Sequence, residues 1–125
     1  MDVEALVKSI IGPLVDDRIY WDTTPQSGPP KDINGAYLPF VIAQLIGGTD
    51  QEYIDQSFPD HENVRLQTVS FSPSSLGATD LNRAVRAAIL SNYKPAGIIG
   101  SAIATYDPRL MLRGRAQHFS LWIKP

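Results

Sequence analysis

The last third of the sequence constrains the fold most strongly, because one helical pattern is followed there by two strand patterns. The run Leu81–Leu90 has apolar residues at the spacing of one helix face, namely Leu81, Ala84, Val85, Ala88 and Ile89. Thr79 or a neighbouring serine is expected to cap this helix. The runs Ile98–Tyr106 and Gln117–Ile123 are rich in β-branched and aromatic residues and predict strands. Such a segment folds by packing a helix on a sheet.

The preceding part of the sequence predicts a further helix and further strands. Apolar residues recur at helical spacing over Val3–Ile11, and Gly12-Pro13 ends that helix. Ile19-Tyr20 suggests a short strand, Leu38–Ile46 is a strongly β-forming run, and Val64–Phe71 alternates as a half-buried strand does.

These elements predict an α+β fold with an antiparallel sheet of four or slightly more strands and two main helices on one face. The 125 residues fit a single domain, 1–125. Two connections are unusual. The stretch Trp21–Tyr37, rich in proline and glycine, predicts a long loop or flap, and Asp107–Gly114 predicts a hairpin arm.

The composition excludes several classes of protein. Hydrophobic residues make up 43% and charged residues 19%, which is typical of a globular chain. Eleven basic and thirteen acidic residues give a net charge of −2, which opposes nucleic-acid binding. The absence of cysteine removes disulfides and thiolate metal sites. The acidic start and the short apolar runs indicate neither a secretion signal nor a membrane span, so we expect a soluble cytoplasmic protein.

No pattern in the sequence predicts catalysis or a bound cofactor or metal. His61 and His118 are far apart and lack further ligands at a recognisable spacing. The glycines lack the Gly-Lys-Ser/Thr sequence of a phosphate loop, and the serines lack a nucleophile elbow. We therefore predict a protein that is not an enzyme. A small enzyme or a metal-dependent binding module is the alternative from a different class.

The residues predicted to contact other proteins are two tryptophans, three arginines and a run of acids: Trp21, Trp122, Arg109, Arg113, Arg115, Asp50, Glu52, Asp55, Asp60 and Glu62. If Phe119 and Leu121 face the core, Trp122 faces away from it, as tryptophans in protein contacts often do. Packing beneath the chain's own flap is the alternative for Trp122.

The arginines of the predicted arm have two interpretations. They form a solvated surface, or they pair with the acidic segment Asp50–Glu62 of a neighbouring subunit. In the second case two different patches meet head to tail, and contacts of that kind close into rings. The acids could instead bind a divalent cation, but they lack the pattern of a calcium loop.

Six short segments, taken in order, resemble one protein family. They are Val15–Tyr20, Thr24–Gln26, Leu38–Val41, Val64–Gln67, Leu81–Ile89 and Phe119–Trp122. Their order and spacing are similar to those of the tail completion family of long-tailed bacteriophages and prophages, also called tail terminator or tail-to-head joining proteins. The stretch Gly28–Tyr37 departs from that pattern and resembles an insertion.

The resemblance implies an α+β subunit that forms a ring, typically of six, at the head-proximal end of the tail. Such a ring caps the tube of tail protein, ends its growth and offers a surface to the head connector. Its partners would be further copies of itself, the tail tube protein and the connector protein. Free subunits would be monomeric, in the host cytoplasm, before joining the virion at the head-tail junction.

Two further expectations accompany the resemblance. DNA would pass through the ring without specific binding, since acids facing a channel repel phosphates. A head-completion or connector-side adaptor is the alternative function, because it shares the size and the ring-forming habit. The family offers no catalytic residues to transfer.

Overall fold

The structure, a computed structural model, describes residues 3–23, 28–46, 62–92 and 96–123. Its elements, in chain order, are helix α1 (Val3–Ile11), a 3-10 turn (Gly12–Leu14), strands β1 (Ile19–Trp21), β2 (Phe40–Ile46) and β3 (Glu62–Ser72), helix α2 (Ser75–Asn92), and strands β4 (Ala96–Asp107) and β5 (Leu112–Ile123). The predicted α+β class is therefore confirmed.

The strands form one five-stranded sheet in the order β1-β2-β3-β5-β4. Every neighbouring pair is antiparallel except β1 and β2, which run parallel. The prediction of a purely antiparallel sheet was therefore wrong. A parallel pair needs a connection long enough to return to the start of the first strand, and the stretch between Trp21 and Phe40 has that length.

The main core lies between the two helices and one face of the sheet. Val7 and Ile11 of α1 and Val85 and Ile89 of α2 belong to the same cluster as the sheet residues Val41, Leu66, Phe119 and Leu121. All of these side chains are almost inaccessible to solvent. Both helices thus cover one face, as predicted. Burial of each large apolar side chain contributes about 1.5–3 kcal/mol.

Helix α2 begins earlier than its apolar pattern predicts. The Ser74 hydroxyl accepts a hydrogen bond from the Gly77 amide at 2.9 Å, and the Ser74 carbonyl accepts one from the Ala78 amide at 3.0 Å. Ser74 is therefore the N-terminal cap. Gly77 lies against the hydroxyls of Ser72 and Ser74, where a Cβ atom would collide. A glycine there permits the close approach of α2 to the end of β3.

The connection between β1 and β2 contains a small ordered turn. Lys31 and Tyr37 form an isolated antiparallel bridge. Within it, the Asp32 carboxylate accepts hydrogen bonds from the amides of Asn34 (2.8 Å) and Ala36 (3.0 Å). Ile33 stands at the tip, 99% exposed. This part of the predicted long loop is thus held by its own hydrogen bonds.

Candidate functional site: the free edge at β4

Strands β4 and β5 form a hairpin whose turn is fixed by one carboxylate. The Asp107 side chain accepts hydrogen bonds from the amides of Arg109 (3.0 Å) and Leu110 (3.3 Å). Met111 closes the turn with a left-handed φ of 55° and leaves its side chain 68% exposed. The predicted arm Asp107–Gly114 is therefore the turn of this hairpin with the strand ends beside it. Asp107 ends β4, and the residues from Leu112 onward belong to β5.

A bulge divides β4 into two parts. The pairing with β5 shifts between Ile99 and Ile103, and Gly100 lies in the shifted stretch with φ of 72°. The Gly100 carbonyl accepts a hydrogen bond from the Gln117 side-chain amide at 3.2 Å. Beyond the bulge every residue from 101 to 106 is exposed, including Ile103 (58%) and Tyr106 (44%).

β4 is an edge strand, and apart from the bulge at Gly100 it lacks the usual protection of such strands. Within the described residues, no strand pairs with its outer side. Edge strands are commonly protected by lysine, proline or an inward charge. The sequence of β4 contains neither lysine nor proline, and its single charged residue, Asp107, lies at the turn. Unpaired backbone groups beside exposed apolar side chains are suited to binding another polypeptide.

Two of the predicted arginines lie on this hairpin. The Arg113 guanidinium stands over the Tyr106 ring, 4.2 Å from its centroid, and remains exposed. Arg109 is exposed at the turn. We call the exposed residues Ile103, Tyr106, Arg109, Met111 and Arg113 the hairpin surface. It includes both faces of the hairpin, because Tyr106 and Arg113 lie on one face of the sheet and Ile103 lies on the other. It combines apolar contact area with positive charge.

Arg115, the third predicted arginine, has a different role. It donates hydrogen bonds from Nη2 to the Ser75 hydroxyl (2.8 Å) and from Nη1 to the Gly114 carbonyl (2.9 Å), and it is half-buried. It therefore ties β5 to the first turn of α2. Leu76, the next residue of α2 after Ser75, is 70% exposed.

The structure places the predicted tryptophans differently. Trp21 is half-buried and packs against the main core, so it contributes to the packing of its own domain. The backbone of Trp122 pairs with Asn63 in the register of β3 and β5. The orientation of the Trp122 side chain lies outside what the structure describes. The strand alternation predicted around it holds at Phe119 and Leu121, which are buried.

The predicted acidic residues lie almost entirely outside the described part of the chain. This applies to Asp50, Glu52, Asp55 and Asp60. Glu62 starts β3, and only its backbone is described. His61 also lies outside, whereas His118 is half-buried on β5, paired in register with Gln67 and Ile99.

A second charged surface, which the sequence analysis missed, lies at the other edge of the sheet. Asp16 and Asp17 immediately precede β1, and Asp22 follows it; all three are exposed and have left-handed φ values of 49°, 64° and 70°. The Arg18 Nη1 atom lies 3.5 Å from an Asp16 oxygen, and its Nε donates to the Pro39 carbonyl at 2.8 Å. Aspartate tolerates left-handed conformations better than most residues, which suits it to these positions.

Leu14 lies beside these acids and is 40% exposed. We call Leu14, Asp16 and Asp17 the acidic corner. Like the hairpin surface, it joins an exposed apolar side chain to charge, but the charge has the opposite sign.

The described residues contain no group of three histidine, cysteine or acidic side chains that could hold a metal ion. Nor does any helix among them have the length and apolar character needed to cross a membrane. Comparison of the sequence with models of known protein families gives no match, and comparison with curated proteins gives none either.

Proposed function

We propose that this chain is a structural assembly protein that caps the head-proximal end of a phage tail tube. In this role, copies of the chain form a ring, typically of six, that ends tail polymerisation and allows the head to join. The order of the six sequence segments described above supports the family, and the free edge at β4 supports action by contact. That edge is the observation that carries the proposal.

The chemistry of the hairpin surface suits binding between proteins. Met111 and Ile103 offer apolar area, which stabilises a contact by about 25 cal/mol per Å² removed from water. Arg113 is held over Tyr106, so less side-chain freedom is lost when it meets a carboxylate. A ring subunit needs such a surface toward its neighbour and others toward the tail tube protein and the head connector.

The proposal is tested by electron microscopy of virions from a phage or prophage that lacks the gene. We expect tails of abnormal length and heads without tails, because nothing stops the tube and nothing presents a surface to the connector. Expression of the chain from a plasmid should restore tails of uniform length. Tails of normal length in the deletion strain would instead favour a head-side adaptor and would reject capping.

A pair of matched variants connects this assay to the hairpin surface. Complementation with Arg113→Glu should fail, because a positive charge of the surface is reversed. Arg83→Glu changes an exposed arginine of α2 in the same way and should restore normal tails. Equal complementation by both variants, with equal amounts of folded protein, would mean that the hairpin surface has no part in capping.

A further inference from the structure

We infer that the hairpin surface of one copy binds the acidic corner of a second copy, head to tail. The inference rests on the proposed function only in requiring that copies of the chain assemble with each other. The partner of the arginines is then the acidic corner, which the structure describes, and not the acidic segment Asp50–Glu62.

Charge is the first argument for this pairing. Arg109 and Arg113 are exposed on the hairpin, and Asp107, the acid of its turn, accepts two amide hydrogen bonds there. At the corner, the Asp16 side chain is 90% exposed and Asp17 is also exposed. Opposite charge favours this orientation and speeds encounter, whereas two hairpin surfaces would repel each other.

The sheet places these two surfaces at opposite edges. β1 and β4 are the end strands of the order β1-β2-β3-β5-β4. Four spacings of about 4.8 Å separate them, so the edges are about 19 Å apart. A contact that uses one edge of each copy therefore leaves the opposite edge free for the next copy.

The strand register puts the two surfaces at the same level along the strands. One row crosses the whole sheet through Ile19, Val41, Ser70, Arg115 and Ala104. β1, β2 and β5 share one direction, because both β2 and β5 are antiparallel to β3.

Asp17 lies two residues before Ile19, and Arg113 lies two residues before Arg115. Both charged residues therefore precede that row by two residues, Arg113 in an extended strand and Asp17 in the turn before β1.

This level arrangement favours a ring over a filament. A head-to-tail contact between surfaces at different heights adds a shift at each step and produces a helical filament. Surfaces at equal height allow successive copies to be related by rotation with no shift along the strands. Such a contact closes into a ring when the rotation between copies is a whole fraction of a full turn, and the ring axis then follows the strand direction.

Cysteine trapping tests the contact directly, because the chain has no cysteine of its own. Under mild oxidation, the double variant Asp17→Cys/Arg113→Cys should give a ladder of disulfide-linked oligomers that ends at the closed ring. The single variants should give a linked pair only when they are mixed. The control Glu4→Cys/Arg83→Cys has two exposed cysteines on the helices and should give no comparable ladder.

Charge reversal provides a second test that also reports on folding. Asp17→Lys and Arg113→Glu alone should each lose the oligomers detected by analytical ultracentrifugation at high protein concentration. An equimolar mixture should regain them, because each defective surface then meets the reversed surface of the other variant. Recovery on mixing shows that both variants are folded.

Three results would overturn the inference: no ladder above that of the control, linked dimers of Arg113→Cys alone, or no recovery on mixing. Linked dimers of the single variant would indicate a two-fold contact between hairpins. These outcomes are independent of tail length. A ladder of linked oligomers together with normal tails in the deletion strain would reject capping and support the contact. Abnormal tails without a ladder would support capping and reject the contact.

Discussion

Thr68 and Gln117 lie opposite each other in strands β3 and β5, and each has a buried side-chain oxygen without a hydrogen-bond partner. Both residues are at most 1% exposed. The Ser70 hydroxyl, two residues further along β3, is also buried without a hydrogen-bond partner. On α2, the same is true of Asn82 Oδ1 and Arg86 Nε. A row of polar groups therefore lies beneath the first half of α2, next to the apolar core.

Replacing Thr68 by valine should stabilise the protein. The substitution keeps the shape of the side chain and removes a buried hydroxyl that has no partner, so we expect the free energy of unfolding to rise by about 1 kcal/mol. Urea unfolding followed by circular dichroism measures it. The exposed Thr105→Val is the control and should change stability by less than about 0.5 kcal/mol. A loss of stability in Thr68→Val would mean that the hydroxyl has a partner in solution.

Gly100→Ala should destabilise the bulge of β4. Nothing lies within 4 Å of a Cβ atom placed there, but φ is +72°. The cost is therefore conformational, about 1–2 kcal/mol. Gly97→Ala is a matched control in the same strand, with open space and no such φ, and should be neutral. Equal unfolding midpoints for the two variants would contradict this account of the bulge.

Ser74→Ala should weaken the start of α2. It removes the hydroxyl that accepts the Gly77 amide hydrogen bond, and the loss of such a cap costs about 1 kcal/mol. Ser91→Ala changes an exposed serine in the last turn of the same helix and should have little effect. Hydrogen exchange adds a local measurement. Amides in the first turns of α2 should exchange faster in Ser74→Ala, whereas those near Ile89 should follow global stability.

Phe119→Ala should be among the most damaging single changes. Its ring is fully buried between the sheet and the helices, and truncation of such a residue costs about 3–5 kcal/mol. Met111→Ala removes an exposed side chain and should unfold at the wild-type denaturant concentration. The two variants therefore separate stability from contact: in virion assembly Met111→Ala should be defective although it is folded, and Phe119→Ala should be defective because it is not.

The sequence predicted those parts of the fold in which local pattern and tertiary packing agree. α1 has the predicted bounds, and the apolar spacing of α2 correctly includes Val85 and Ile89, two of its four buried residues; the other two, Ala78 and Asn82, were not predicted. The alternation in β5 correctly places Phe119 and Leu121 in the core. In these segments the spacing of the apolar residues places them on the face of the helix or strand that is buried.

Elements whose stability depends on distant residues were missed. The parallel direction of β1 depends on β2, which lies beyond a long connection. The segment from Leu112 to Ala116 contains glycine and arginines and has weak strand propensity, yet it pairs with β3 on one side and β4 on the other. Such pairing overrides local preference.

The candidate site was predicted only in part. Arg109 and Arg113 were identified from charge alone, and both lie on the hairpin surface. Whether a strand lies at the edge of a sheet is a property of the assembled sheet, so the exposure of Ile103 could not be read from its sequence. The hydrogen bond from Arg115 to Ser75 joins residues that are distant in the chain, so it could not be predicted from the sequence either.

The position of β5 in the middle of the sheet affects how the chain folds during synthesis. Among the described strands, β4 pairs only with β5, which itself lies between β4 and β3. A ribosome that has made β4 has therefore produced a strand that cannot yet join the rest of the sheet. It remains unattached until residues up to 123 have emerged. Until then β4 has two unpaired edges instead of one, and unpaired strand edges are prone to associate with other chains.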